Sequence, residues 1–319
     1  MKPYLSIIIP YYNNSEGLTR LLASIGKSKK APAFEIIVVD DGSSLRPPRS
    51  DIRLPKNRGP AIARNRGVEK AKGEFVVFLD GDVEVFPDTL YQIAKVFKDD
   101  PDVVALTGVW VKEQKSKAFF PNFKALRDWS YWINERDKSG YYYLFSTRIA
   151  SIKKAVFERL GGFNETYPAP LVEDIELTYR IARRYAIIFA PQIRVRHEFE
   201  NFWPIAKKYF LRAYYWTKLY ARRKRFDPVA TTLQEAVTTL SGVGVVIGGI
   251  GVLGGLRELG VIWGGLLALH LLLVRKFITF VYREKGWIFA AKSFFTGLML
   301  YCFIFAGAVS SRIIHIRRD

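Results

Sequence analysis

Apolar positions along the chain fall into two regimes that change near residue 226. Before it, short unbroken apolar runs alternate with stretches whose apolar residues recur every three or four positions. Residues 5–9 read as a buried strand, with Pro10 as its stop. Asn14 or Ser15 caps a helix whose apolar face is Leu18, Leu21, Leu22 and Ile25. Residues 34–39 read as a second strand, 59–72 as a helix and 75–79 as a third strand. A helix over 88–98 and a strand over 103–111 follow; later, 175–184 reads as a helix and 187–195 as a strand. Unbroken apolar strands are those covered on both faces, so the pattern predicts an α/β fold: a mostly parallel sheet with flanking helices. Ligands of such sheets bind beyond the C-terminal ends of the strands. Asp40-Asp41-Gly42-Ser43 and Asp80-Gly81-Asp82 stand at two of those ends.

After residue 226 the apolar runs lengthen. Residues 236–256 are long enough to cross a bilayer, as are 260–280 with Arg275 and Lys276 at the interface. Arg257 and Glu258 fall in a tight connection between them. Residues 294–314 are a third candidate, and the charged stretch 283–285 before it is expected on the membrane surface. Residues 202–220 mix aromatic and basic side chains, the composition of an interfacial helix. Three parts result: a catalytic domain over 1–200, an amphipathic linker over 201–235, and a membrane domain over 236–319 with two to three spans.

Charge sharpens this picture. The 319 residues carry a formal net charge of +19, which calls for an anionic partner. Its densest clusters, Arg222-Arg223-Lys224-Arg225 and Arg317-Arg318, flank the apolar segments, which favours a membrane surface over nucleic acid. No zinc-finger spacing and no basic helix followed by heptads supports a nucleic-acid module. One cysteine, Cys302, allows no intrachain disulfide. The chain enters its first strand with no signal peptide of the usual form. The basic run before the first span places the N-terminal domain in the cytosol by the positive-inside rule.

Two carboxylates one residue apart at a strand end, as in Asp80 and Asp82, can face one pocket and hold Mg²⁺ or Mn²⁺ against phosphates. Either acidic cluster alone is also an ordinary turn. Glu173-Asp174 at a helix start also suits the helix dipole, and Gly161-Gly162 also suits a helix C-terminus.

The order of these pieces is more telling than any one of them. Ser6 to Asn13, Val38 to Ser43, Asn57-Arg58-Gly59 with Ala63-Arg64-Asn65, Phe78 to Asp82, Gly161-Gly162-Phe163 and Glu173-Asp174 follow one another over roughly residues 4–200. This series resembles family 2 of the inverting glycosyltransferases, which have the GT-A nucleotide-diphospho-sugar transferase fold. The resemblance implies a nucleobase pocket at Pro10, Tyr12 and Asp41 with Asp40 beside it, and nucleotide contacts from Asn57 and Arg64. Arg64 is offered either to a phosphate or to a carboxylate of the site. Asp80 is implied to touch sugar or ribose, Asp82 to bind the metal, and His197 to complete the metal site. Gly161, Gly162, Phe163 and Glu173 fall in the acceptor region, and Asp174 is the general base. The Gln-x-x-Arg-Trp signature of processive relatives is missing from residues 207–216.

The expectation is therefore a membrane enzyme that moves a single sugar from a UDP-, GDP- or dTDP-sugar to a membrane-associated acceptor. That acceptor is a polyprenyl phosphate, a lipid-linked saccharide or a glycolipid, and Mn²⁺ or Mg²⁺ is the cofactor. The alternatives are a soluble acceptor for the same chemistry, or a catalytically silent membrane protein that binds nucleotide-sugars.

Overall fold

The structure is a computed structural model that describes residues 2–135, 142–167, 171–227 and 232–316, with side chains through residue 313. Its elements, in chain order, begin with β1 (Leu5–Tyr11), α1 (Ser15–Ile25), β2 (Phe34–Asp40), β3 (Ile52–Arg53), α2 (Pro60–Lys70), β4 (Phe75–Leu79) and β5 (Val83–Val85). They continue with α3 (Thr89–Asp99), β6 (Ala105–Trp110), α4 (Phe119–Ile133), β7 (Ile149–Lys153), α5 (Lys154–Arg159), α6 (Glu173–Ile181), β8 (Ile188–His197) and α7 (Phe202–Arg223). The chain divides into two compact units: Met1–Lys115 with Asp137–Glu198, and Ser116–Arg136 with Phe199–Asp319.

The first unit is built on one sheet of eight strands among the described residues, in the order β3-β2-β1-β4-β7-β6-β8-β5. β3, β2, β1 and β4 run parallel, as do β6 and β8. β7 runs antiparallel to both its neighbours, and β5 antiparallel to β8. The sheet is thus mixed but mostly parallel, with only β5 and β7 running against the other strands. The antiparallel pairs come from two short strands, β5 and β7, whose sequences VEV and IASIK lack a long apolar run. β4, by contrast, is buried at every residue, and β1 at all but Pro10.

Pro10 does not end β1, which runs on to Tyr11 opposite Asp40. The reason lies in the ladder. Tyr11 offers its carbonyl to Asp41 on the β2 side, so alternation aims the Pro10 nitrogen toward β4. The β1–β4 pairing has already stopped at Ile8, so the missing N–H breaks no bond. Helix α1 starts at Ser15 because the Asn14 side chain accepts from the Gly17 amide at 3.0 Å. Helix α2 lies close over β1: a Cβ on Gly67 would sit 2.5 Å from the Ile8 side chain.

The second unit is helical. α8 (Leu233–Leu253), α9 (Gly260–Lys285) and α10 (Trp287–Ile316) complete the chain, with a short 3-10 turn at Arg257–Leu259 joining α8 to α9. Among the described residues three helical segments, Leu233–Leu253, Arg257–Lys285 and Trp287–Ile313, are long and apolar enough to cross a membrane. At 1.5 Å per residue, the 21 residues of α8 reach about 30 Å, the thickness of a hydrocarbon core. The faces they leave exposed are apolar too, with Ile247, Ile250, Leu272 and Phe295 among them, as lipid contact requires. Thr232 and Glu235 form a capping box at the start of α8. Residues 283–285 continue α9 rather than forming a separate surface segment, since Gly286 at φ 81° ends the helix only after them. Within this unit, Phe123 and Leu126 of α4 join Ile205 of α7, Phe277 of α9 and Leu300 of α10 in one apolar core.

Candidate active site

The candidate site residues fall in the first unit. Pro10, Tyr12, Asp40, Asp41, Asp80 and Asp82 lie at or beside the C-terminal ends of β1, β2 and β4, and Asn57 and Arg64 lie before and within α2. Gly161, Gly162 and Phe163 follow α5, Glu173 and Asp174 start α6, and His197 ends β8. The loops after β1 and β2 are locked together. Asn13, in a left-handed conformation at φ 49°, takes a hydrogen bond on its amide side chain from the Ser44 amide and donates its own backbone N–H to the Ser43 hydroxyl. The fully buried Asp40 accepts from the Ser43 amide at 2.9 Å and lies 3.5 Å from the Arg53 guanidinium. Beside this rigid base Tyr12 stands half exposed, with its ring open to a partner.

Asp41 has a structural task as well. Its two carboxylate oxygens accept the backbone amides of Arg58 and Gly59, each at 2.8 Å, at the start of α2. Burial pushes this carboxyl above the ordinary aspartate range, and the two amides oppose that push by favouring the anion. Gly42, at φ 70°, lets the β2 loop press onto this segment: a Cβ there would lie 2.3 Å from the Lys56 carbonyl carbon and 2.6 Å from the Asn57 nitrogen. Asn57 itself is exposed at this junction. Pro10, Tyr12, Asp40, Asp41 and Asn57 therefore belong to one braced group of strand ends and loops.

Asp80 and Asp82 lie on the turn between β4 and β5. β5 pairs with β8 so that Val83 faces His197, and this register brings the His197 Nε2 within 3.4 Å of the Asp82 Oδ2. His197 is the last residue of β8 rather than a position beyond it. Its own carbonyl is held by the Gln114 side chain at 2.9 Å. Among the described residues no group of three or more His, Cys, Asp or Glu side chains is arranged to hold a metal. Asp82 and His197 do fit an ion as a pair: one hard oxygen and one imidazole nitrogen, close enough for bonds of about 2.1 Å to a shared centre. Such a pair leaves most of the coordination shell to substrate oxygens and water.

Arg64 is the hub of the site. It is 2% exposed, so it is no solvated helix charge. Its guanidinium donates to Asp80 at 2.7 Å and to Glu173 at 2.9 Å, and sits 5.5 Å from the centre of the Phe163 ring. Of the two partners offered to it by the sequence, phosphate or carboxylate, the structure gives it the carboxylates. Burial works against its charge, but the two anions outweigh burial and hold its pKa above the ordinary value. Glu173 in turn accepts the Leu171 amide at 2.9 Å, which fixes the approach to α6. Arg64 thus ties the strand end carrying Asp80 and Asp82 to the helix start carrying Asp174. Asp174 is partly buried at that helix start, with one oxygen accepting the Ile175 amide at 2.8 Å.

The loop 161–163 is clamped from two sides. Asn65 of α2 grips the Phe163 backbone twice, donating to its carbonyl and accepting from its amide, both at 2.9 Å. Arg180 of α6 donates to the carbonyls of Leu160 and Gly162 while paired with Glu176. Gly161 and Gly162 take φ values of 79° and 68°, which only glycine adopts without strain. Asn65, Arg180 and Arg53 were not given roles by the sequence analysis. Asn65 adjoins Arg64 on α2, and that adjacency is the one signal that marks it.

With this geometry in view, comparison with known proteins becomes informative. Residues 6–160 match the family model Glycosyl transferase family 2. This stretch is a glycosyl transferase family 2 domain. The domain is similar to the pre-mycofactocin glycosyltransferase of Mycobacterium tuberculosis, at 29% identity over 211 residues, covering 61% of this chain and 42% of that protein. It is similar also to the dolichol-phosphate mannosyltransferase of Pyrococcus furiosus, at 31% identity over 122 residues, covering 35% of this chain and 34% of that protein. The chain thus spans well under half the length of these curated relatives. Among solved structures, the mannosyltransferase PcManGT of Pyrobaculum calidifontis, in complex with GDP-Man and Mn²⁺, has a similar fold. Its TM-score is 0.58 at 19% identity, covering 98% of this chain and 87% of that one. The family 2 domain accordingly has the GT-A type of fold, a mixed sheet with flanking helices, and the chain adds three candidate membrane helices to it.

Proposed function

We propose that this protein transfers one sugar, with inversion at the anomeric carbon, from a nucleotide-sugar to an acceptor held in the membrane. The observation that carries the reading is the convergence of Asp82 and His197, 3.4 Å apart, with the Asp80–Arg64–Glu173 bridge that ties them to the helix of Asp174. On this reading Tyr12 stacks on the base while Pro10, Asp40, Asp41 and Asn57 bound its pocket. Asp80 faces the ribose or sugar. Asp82 and His197 hold Mn²⁺ or Mg²⁺, and a bound divalent ion supplies charge compensation to the departing diphosphate. Asp174 takes the proton from an attacking hydroxyl, a role that needs one base and no acid on the leaving side. Toward a phosphate acceptor, already ionised, Asp174 orients rather than deprotonates.

The membrane acceptor follows from connectivity. Three helices able to cross a bilayer share the chain with the site, and a tethered enzyme meets a membrane-confined substrate at a raised effective concentration. A polyprenyl phosphate, a lipid-linked saccharide and a glycolipid all meet that description. The basic run 222–225, ahead of α8, favours a cytosolic catalytic domain. The site pair is tested by nucleotide-binding titrations with and without Mn²⁺. Asp82→Ala and His197→Ala are each expected to remove most of the metal-dependent gain in affinity and leave metal-free binding in place. A full metal-dependent gain in both variants would reject the assignment.

A further inference from the structure

A cavity opens in the first unit that none of the residues assigned above lines, although its Glu84 and Arg196 are near neighbours in sequence of Asp82 and His197. It has a volume of about 340 Å³ and is formed by the C-terminal half of α1 and the turn after it, by β5 and the turn after it, by the segment following β6, and by β8. Arg20, Lys27, Lys115 and Arg196 line it, against a single lining carboxylate, Glu84. Glu84 draws three of the cations together. Lys115 bonds it closely, the Arg20 Nε lies 3.7 Å away and an Arg196 nitrogen 3.9 Å away. Arg194 and Arg196 also flank the lining ring of Phe86, at 5.0 and 5.7 Å. Glu16 pairs with Arg20 at 2.5 Å from outside the lining, and Glu198 is turned to the Lys115 backbone amide. The lining therefore carries a clear excess of positive charge, arranged about one anion that can satisfy only part of it.

We infer that this cavity is a binding site for a phosphate group, separate from the nucleotide site. The two arginine forks and two lysine ammonium groups match the donors that recognise tetrahedral oxyanions. The cavity is too small for a folded partner but large enough for a phosphate and its first ester carbon atoms. Phosphate esters reach such a site from two sources, the headgroup of an anionic lipid or a soluble phosphate. Glu84 holds the cations in place when the site is empty and competes with the ligand when it is full. That double role gives the site a signature that a general surface charge lacks: loss of Glu84 strengthens binding.

The test uses the full chain in phosphatidylcholine nanodiscs with EDTA present, titrated with inorganic phosphate and followed calorimetrically. A Lys115→Gln, Arg196→Gln double variant is expected to bind about tenfold more weakly. Glu84→Gln is expected to bind roughly threefold more tightly, a gain that misfolding cannot produce. Unchanged binding in the double variant, or loss of phosphate binding in Glu84→Gln, would overturn the site. Repeating the titration in nanodiscs containing phosphatidic acid assigns the source. Suppressed phosphate binding marks the lipid headgroup as occupant, and unchanged binding marks a soluble phosphate.

Discussion

A single guanidinium decides how the proposed site is put together. Arg64 is buried, and Glu173, as buried as Arg64 itself, would be stranded without it, while the partly exposed Asp80 would lose its ion-pair partner. Removing one member of a buried charge network costs about 3–5 kcal/mol, because the partners keep their charge and lose its compensation. Arg64→Met is therefore expected to lower thermal stability strongly and to separate Asp80 from the helix of Asp174. Arg64→Lys, with one ammonium and no fork, is expected to keep part of the stability and less of the activity, since it cannot hold two carboxylates in fixed geometry. Unfolding midpoints together with transfer rates check both. A remoter aspartate reports on pH. Asp51 is only partly buried, and the Arg49 side chain and the Val38 amide overcome that burial and hold its carboxyl below the ordinary range. A depressed folded-state value means a stabilising contribution that is present above the unfolded value and lost as pH falls through the folded one. The stability gap between the parent and Asp51→Asn should therefore be widest above about pH 5 and close toward pH 3. A gap that widened on acidification would contradict this.

Helix α2 and the loop 161–163 act as one piece. Gly162 sits at φ 68°, and a Cβ there would come within 2.7 Å of the Asn65 side-chain oxygen. Gly162→Ala is expected to cost at least about 1–2 kcal/mol from the left-handed backbone alone. It should also speed hydrogen exchange at the Phe163 amide, which Asn65 now protects. Exchange unchanged from the parent would show that the clamp does not hold the loop. The elements of this region differ in how much the sequence disclosed. β1, β2 and β4 were legible because strands covered on both faces must be unbroken apolar runs. β5 and β7 were not: Glu84 interrupts one, and Ser151 lies in the other, buried and bonded to the Val76 carbonyl. α4 was also unread, since its sequence FFPNFKALRDWSYWI has a proline in its first turn and aromatic residues on several faces. The site residues were named by motif, but the partners of Arg64 and the approach of His197 to Asp82 depend on pairings between distant strands and helices. No local pattern encodes those pairings.

At the scale of the whole molecule, the two units divide the labour. One carries the sheet and the candidate site residues, and the other offers three apolar helices to a bilayer. If the basic run before α8 faces the cytosol, a cysteine introduced at the exposed Asp102, in a Cys302→Ser background, should react with an impermeant maleimide only after the cell membrane is opened. Labelling of intact cells would reverse the orientation. The central claim, transfer of a sugar to a membrane acceptor with Asp174 at the reacting centre, is tested most directly in membranes containing the full chain. Mn²⁺ and a panel of radiolabelled UDP-, GDP- and dTDP-sugars are supplied, and label is counted in the organic extract, with Asp174→Asn as the control. The account predicts lipid-soluble label from one donor, dependent on the protein. For a hydroxyl acceptor, Asp174→Asn abolishes that label while nucleotide binding persists. Equal transfer to a hydroxyl acceptor by Asp174→Asn, or neither label nor nucleoside diphosphate release with any donor, would contradict it.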